Sequence, residues 1–329
     1  MSFVSLFIGV IDLQFKEILQ GNIEQIELVL ISRLPRLLAI LCTGMGMSVA
    51  GLIMQQLCMN KFVSPSTGAT ISSAQFGILL AMILFPNSNL VDKTIFAFIA
   101  AILGTWVFVY FIQKVKFKDI IMVPLVGIMF GNIIGGITDY ISYKYDMVQA
   151  LSSWLVGDFS LILRGRYEIV FLAVPLIILA FLFANHFNVV GMGEDFSKNL
   201  GINHNAVLLM GLSISALITA SVVVTVGSIP YIGLIVPNVV AMFKGDRIRG
   251  SLLDIALSGA LFVLVCDILG RVINAPYEIP INLTVGILGS LIFLGLMYKR
   301  LNPGSKRRAR VRATGTGCST PPVLSEGGE

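Results

Sequence analysis

Asp267 and Arg271 lie four positions apart inside the apolar run 252–273, a spacing that puts a carboxylate and a guanidinium on one face of a helix. Two chemistries use such a pair: mutual neutralisation, which makes burial near a membrane interface tolerable, or a step in a proton relay, which needs further groups in series. Asp139 falls near the end of the run 120–141 and Asp254 near the start of 252–273, both within reach of water, so the series is short. The inventory for covalent or metal chemistry is sparse. Cys42, Cys58, Cys266 and Cys318 share no ligand spacing, and His186 and His204 stand 18 residues apart, which predicts no metal site and no cofactor. The sequence contains no H-E-x-x-H, no G-x-S-x-G and no G-x-x-x-x-G-K-[ST], so it reads as neither a hydrolase nor a nucleotide-binding chain.

Three other stretches carry information. In "GMGEDFSKNLGINHN", residues 191–205, Glu194 and Asp195 suit a helix N-terminus, Phe196 and Leu200 fall on one face, and Gly201 can close the helix at positive φ. This predicts a short surface helix with one apolar stripe, either packed on a membrane surface or presented to a partner. "GIMFGNIIGG" spaces Gly127, Gly131 and Gly135 four apart beside Asn132. That face could admit a neighbouring helix closely or line a path for a bulky solute. "GSIPYIGLIVPNVVAMFKGD", residues 227–246, interrupts an apolar run with Pro230, Gly233 and Pro237. Pro230 and Gly233 read as a turn between two spans, and Pro237 as a break inside the second.

The elements that position these residues follow from composition. Of 329 residues, 56% are hydrophobic and 12% charged, with a mean hydropathy of +0.89. A soluble domain carries about a quarter charged residues and could not bury so much apolar surface, so lipid is the outer solvent. Apolar runs fall at 34–57, 65–85, 94–112, 120–141, 168–186, 205–226, 231–243, 252–273 and 281–298, preceded by a short one at 1–11. The reading is an all-α polytopic membrane protein of about ten transmembrane helices, the first short or truncated. Residues 1–300 form the membrane domain, and 301–329 a basic cytoplasmic tail without periodicity, expected to be disordered. If the spans alternate from a cytoplasmic N-terminus, fifteen of the 23 Lys and Arg face the cytoplasm, which places both termini there. The net charge of +5 is thereby a feature of membrane topology, with the basic cluster 306–312 suited to anionic headgroups rather than to nucleic acid.

Four blocks in order, "RLPRLLAILCTGMGMSVAGLIMQQLCMNKFVSPSTGA", "GEDFSKNLGIN", "GSIPYIGLIVPNVVAMFKGD" and "YEIPINLTVGILGSLIFLGLMYK", resemble the permease subunits of ATP-binding-cassette importers for iron-siderophores, haem and cobalamin, the FecCD-like and cobalamin-permease-like family. The resemblance spans almost all of residues 1–300. It implies about ten spans with both ends cytoplasmic and a location in the bacterial cytoplasmic (inner) membrane. The stretch 193–203 is similar to the family's coupling helices, which makes Glu194, Asp195, Phe196, Leu200 and Gly201 candidate contacts for an ATPase. Arg33, Arg36 and Arg271 match positions where family members present arginines to acidic residues of a substrate-binding protein; interfacial snorkelling is the plainer alternative. Gly127, Gly131, Asn132, Gly135 and Pro237 are candidates for the translocation pathway or for helix packing.

The resemblance further implies partners: a second permease subunit, identical or homologous, two cytosolic ABC ATPase subunits and an extracytoplasmic substrate-binding protein. It implies import by alternating access, without covalent chemistry in this chain, of a ferric siderophore. Residues 123–160 look most like permeases for catecholate-type siderophores. Haem and cobalamin are the alternatives within the family, and an ion-coupled secondary transporter is the alternative outside it. The sequence departs from the family in its short first span and in the tail after Arg312.

Overall fold

The computed structural model describes residues 29–86, 89–114, 122–160, 162, 168–244, 248–274 and 277–301. The short first span and the tail expected from the sequence lie outside the described residues. The chain divides into two units at Ser290 and Leu291, and the packing described below belongs to the first.

Each of the nine apolar runs from residue 34 onward becomes a helix. A single π turn, Val29–Arg33, leads into α1, Leu34–Leu57. Pro35 stands in the first turn of α1, where its missing N–H leaves no bond unmade. Then come α2 (Thr70–Leu84), α3 (Leu90–Lys114), α4 (Met122–Lys144) and the short α5 (Val148–Leu155). A 3-10 turn, Glu168–Leu172, opens α6 (Ala173–Val190), followed by α7 (Glu194–Asn199) and α8 (His204–Val226). The chain continues through α9 (Ile232–Lys244), α10 (Ile248–Ile273) and α11 (Ile281–Leu301). Six of these segments are long and apolar enough to cross a membrane, and α2, α9 and α11 add three shorter apolar helices.

Two details differ from the expected runs. α2 begins at Thr70 instead of residue 65 because Ser64 and Thr67 bond to each other's backbone and side chain, with Thr67 Oγ1 accepting from Ser64 N at 2.9 Å. Such local bonds compete with the helix ladder. The short α5 has no counterpart among the expected spans. The strand-like segment after it meets the turn after α8, where Ser228 N donates to Leu155 O at 3.0 Å and Asp158 N to Val226 O at 3.1 Å.

The core forms around α1 and α8. Of the most apolar window of each, 78% is buried, against 28% for α3 and 22% for α4. α1 touches α6, α8, α9 and α10, while α3 turns Val91, Ile95, Ile99, Leu103 and Val107 outward along one stripe. An apolar stripe of that length on the outside is stable only against lipid or another apolar subunit. Between the helices, small residues replace bulk. A Cβ on Gly44 would lie 2.5 Å from Gly259 O in α10, and one on Gly51 would lie 2.0 Å from Gly233 O in α9. Close backbone approach of this kind supplies the dispersion contacts that hold helices together in lipid, where burial alone gives little. Hydroxyls add interhelical bonds: Thr70 to Thr105 at 2.8 Å, and Ser215 Oγ donating to Ala50 O at 3.0 Å.

Gly191, at the exit of α6, packs against Gln56 near the C-terminal end of α1, whereas Arg36, in the first turn of α1, reaches Asp267 of α10. The segment that enters α7 and the Arg36–Asp267–Arg271 group thus stand at opposite ends of α1.

Candidate functional site

Near the C-terminal end of α1, α7 forms the short surface helix expected between α6 and α8. Gly193, at φ 112°, lets the chain turn into it, and Gly201, at φ 74°, lets it out; other residues adopt these values at a cost. Glu194 and Asp195 occupy the first turn, where the helix dipole favours negative charge. Lys198 donates to Glu194 at 2.7 Å, and this hydrogen bond holds the Glu194 carboxyl below its usual range and raises the Lys198 ammonium. A carboxyl lowered in this way keeps the pair charged through neutral pH and loses it only as pH falls through the lowered value.

The helix has two different faces. Inward, Ser197 is fully buried, its Oγ within 2.9 Å of His204 Nδ1 and of Glu194 O and 3.0 Å from Gly193 O. Outward, Met192, Phe196 and Leu200 are 61%, 47% and 55% exposed. The Ser197–His204 contact, which ties α7 to the first residue of α8, was not apparent in the sequence; a polar pair seven residues apart across a glycine turn is its only signal. The Phe196–Leu200 stripe was apparent.

The interrupted run 227–246 resolves into a turn and a helix. Pro230 sits in the turn, but Gly233 lies in the first turn of α9, contrary to the expected placement, because it is needed as the contact surface for Gly51. Pro237 is inside α9 and has no N–H for Gly233 O, four residues back. Gln55 of α1 substitutes for it, its Nε2 donating to Gly233 O at 3.1 Å and lying 3.4 Å from Leu234 O. Asn238 Nδ2 donates to Leu234 O at 2.7 Å and to Lys61 O at 2.8 Å, tying the break to the loop after α1. The missed residue is thus Gln55, one helical turn beyond Gly51 on the same face. Gln55→Leu is expected to leave Gly233 O buried without a donor and to cost about 1–3 kcal/mol. A thermal midpoint in detergent equal to wild type would show that the amide is dispensable.

At the opposite end, Arg36, Asp267, Arg271 and Glu278 form one ion network. Arg36 Nη1 donates to Glu278 Oε2 at 2.7 Å and Nη2 to Asp267 Oδ1 at 2.8 Å, while Arg271 Nη2 donates to Asp267 Oδ2. The Asp267–Arg271 pairing matches the neutralisation read from spacing. The link from α1 to Glu278, 242 residues away, could not be read from spacing. Arg33, Arg36 and Arg271 are drawn into the protein in this chain instead of standing out from it, with Arg33 and Arg271 buried. Paired arginines suit the low dielectric better than bare ones.

The glycine face of α4 divides. A Cβ on Gly127 would lie 1.9 Å from Thr67 O, so this end is a packing surface. A Cβ on Gly131 would meet Ser72 Oγ tightly at 3.3 Å and Ala69 at ordinary contact, and Gly135 meets nothing within 4 Å. Asn132, Ile133, Gly136, Ile137 and Tyr140 are exposed along the open part.

A model of the FecCD transport family matches residues 1–299. The petrobactin import system permease protein YclN of Bacillus subtilis is 47% identical over 300 residues, covering 91% of this chain and 95% of that one. The ferric-anguibactin transport system permease protein FatD of Vibrio anguillarum is 36% identical, with 90% and 94% covered. Among solved structures, an inward-facing metal-chelate type ABC transporter superposes with a TM-score of 0.77 at 24% identity, covering 91% of this chain and 95% of that one, a likeness of fold.

Proposed function

The chain belongs to the FecCD transport family, and from that premise we propose that it is the permease that carries a ferric siderophore of the petrobactin and anguibactin kind inward across the bacterial cytoplasmic membrane. The single observation behind the substrate is the 47% identity, over nine-tenths of both chains, to a petrobactin import permease. The chain is a multi-pass transport component and not an enzyme; ATP hydrolysis belongs to a separate subunit.

In this reading one of two cytosolic ATPases seats on α7 of this chain and the other on the second permease, with Phe196 and Leu200 as the apolar knob, Glu194 and Asp195 as its acidic rim and Gly201 as its fixed exit. Both chain termini lie on that side. The substrate-binding protein docks at the end that holds Arg33, Arg36 and Arg271. A second permease subunit, identical or homologous, faces the open part of α4, and Asn132 with Gly135 lines the path between the subunits. Gly127, Gly131 and Pro237 contribute helix packing. ATP binding draws the ATPases together, α7 passes that movement to α6 and α8, and the path opens alternately to each side. A ligand can move this equilibrium only through contacts that differ between the two states, so exposed side chains on α7 are the right kind of lever.

Uptake of radioiron bound to petrobactin tests the substrate. Cells lacking their own petrobactin permeases should regain uptake when this chain is supplied with its import system, and excess haem or cobalamin should not compete. Uptake that persists with a proton gradient and no ATPase would point instead to a secondary transporter.

A further inference from the structure

Arg36 holds two carboxylates that differ in kind. Asp267 lies within α10, its side chain 3% exposed, and it is shared with Arg271. Glu278 lies outside the helices, on the segment between α10 and α11, and its side chain is 20% exposed. The segment is fastened at its neighbour, where Ile279 N donates to Gly270 O at 3.1 Å. The Arg36–Asp267 bond is therefore interior structure, and the Arg36–Glu278 bond is a rim contact that water and a partner can reach.

We propose that Glu278 is an intramolecular stand-in for the acidic residue of the docking protein: it occupies Arg36 Nη1 in the undocked permease and is displaced by the partner's carboxylate. The inference rests on the docking role proposed above for this end of the molecule. Its chemistry is an exchange of one carboxylate for another on the same guanidinium nitrogen. Such an exchange never leaves Arg36 half-buried and unneutralised, which is the expensive state for a paired charge. It also makes docking weak and reversible, because the partner gains only the difference between its own bond and the one it replaces. A binding protein that must leave after each delivery is served by that arrangement. Displacement also frees the side chain that holds segment 277–280 to α1, directly before the first residue of α11, so that docking is felt at the head of that helix.

Charge reversal at Arg36 would set a third carboxylate against Asp267 and Glu278 and test the fold before it tested docking. The experiment therefore uses Glu278→Gln, Glu278→Ser and Arg36→Lys in the assembled transporter in nanodiscs. Affinity for the import system's own substrate-binding protein is measured at low and high salt, alongside thermal midpoints. Removing the competitor is expected to tighten docking about fivefold in both Glu278 variants, the scale of one partly exposed ion pair, with the gain shrinking as salt rises. Arg36→Lys, which keeps charge but loses the fork, is expected to weaken docking. If Arg36→Lys weakens docking while both Glu278 variants leave it unchanged or weaker, the stand-in role is wrong and the docking site survives. If none of the three alters docking at either salt concentration, the docking assignment itself fails and the stand-in fails with it.

Discussion

Leu200→Asp is expected to yield a permease that inserts and folds as wild type but no longer copurifies with its ATPase and transports no iron. The expectation follows from exposure. Leu200, which caps α7, is 55% exposed while the neighbouring Ser197 is fully buried, so the substitution removes an apolar knob without entering the packed interior. Central apolar contacts at protein interfaces commonly contribute 2–4 kcal/mol, equivalent to roughly a 30- to 1,000-fold loss of affinity, and a buried unpaired carboxylate adds to the loss. Ser197→Ala provides the contrast. It should disturb the seating of α7 on His204 while leaving the outward face chemically intact, so ATPase association should survive better than in the Leu200 variant. If the Leu200→Asp complex copurifies with full ATPase activity, α7 is not the coupling element.

The second large effect is expected at Gly51. In Gly51→Val the added Cβ would lie 2.0 Å from Gly233 O and 2.3 Å from Gly233 Cα, both backbone atoms that cannot turn aside. α9 must then move away from α1. That movement costs about 1–3 kcal/mol in lost packing and draws Gly233 O away from Gln55, with roughly another 1–3 kcal/mol for an unsatisfied carbonyl. Few membrane proteins tolerate a combined loss of that size, so the variant should accumulate at a small fraction of the wild-type level and melt well below it. Gly135→Ala is the matched control, because nothing lies within 4 Å of the position and stability should be unchanged. Equal accumulation of the two variants would overturn the close crossing of α1 and α9.

These two positions mark the boundary of what could be read before folding. Leu200 was legible because α7 is local: its glycines, its acidic first turn and its four-residue stripe all lie within about ten residues, and local propensity acts over that range. The helices themselves were legible for a similar reason, since the bilayer demands apolar runs of set length and leaves them plain in composition. Gly51 was not legible. Regular spacing marks the glycines of α4, of which Gly127 is a close contact and Gly135 is not, whereas no spacing marks Gly44 or Gly51, where an added Cβ would lie 2.5 and 2.0 Å from a backbone oxygen of another helix. Which glycine is a contact depends on which helix crosses it, and a helix face alone does not name its neighbour. The same holds for Gln55, whose partner is created by Pro237 some 180 residues later.

The arginines show the division most clearly. Loop charge set Arg33, Arg36 and Arg271 only among the eight cations expected on the less basic side, and it was the family resemblance that singled them out. Only the assembled helices brought Arg36 to Glu278 across 242 residues, and only burial set Asp267 apart from Glu278 as interior against rim. Solvent preference and helix propensity are properties of neighbouring residues, and they settled the membrane location, the spans and the surface helix from the chain alone. Pairing between distant residues depends on how whole helices pack, a cooperative choice among many near-equivalent faces, and for that reason the ion network, the α1–α9 crossing and the mended break at Pro237 were decided by the tertiary structure.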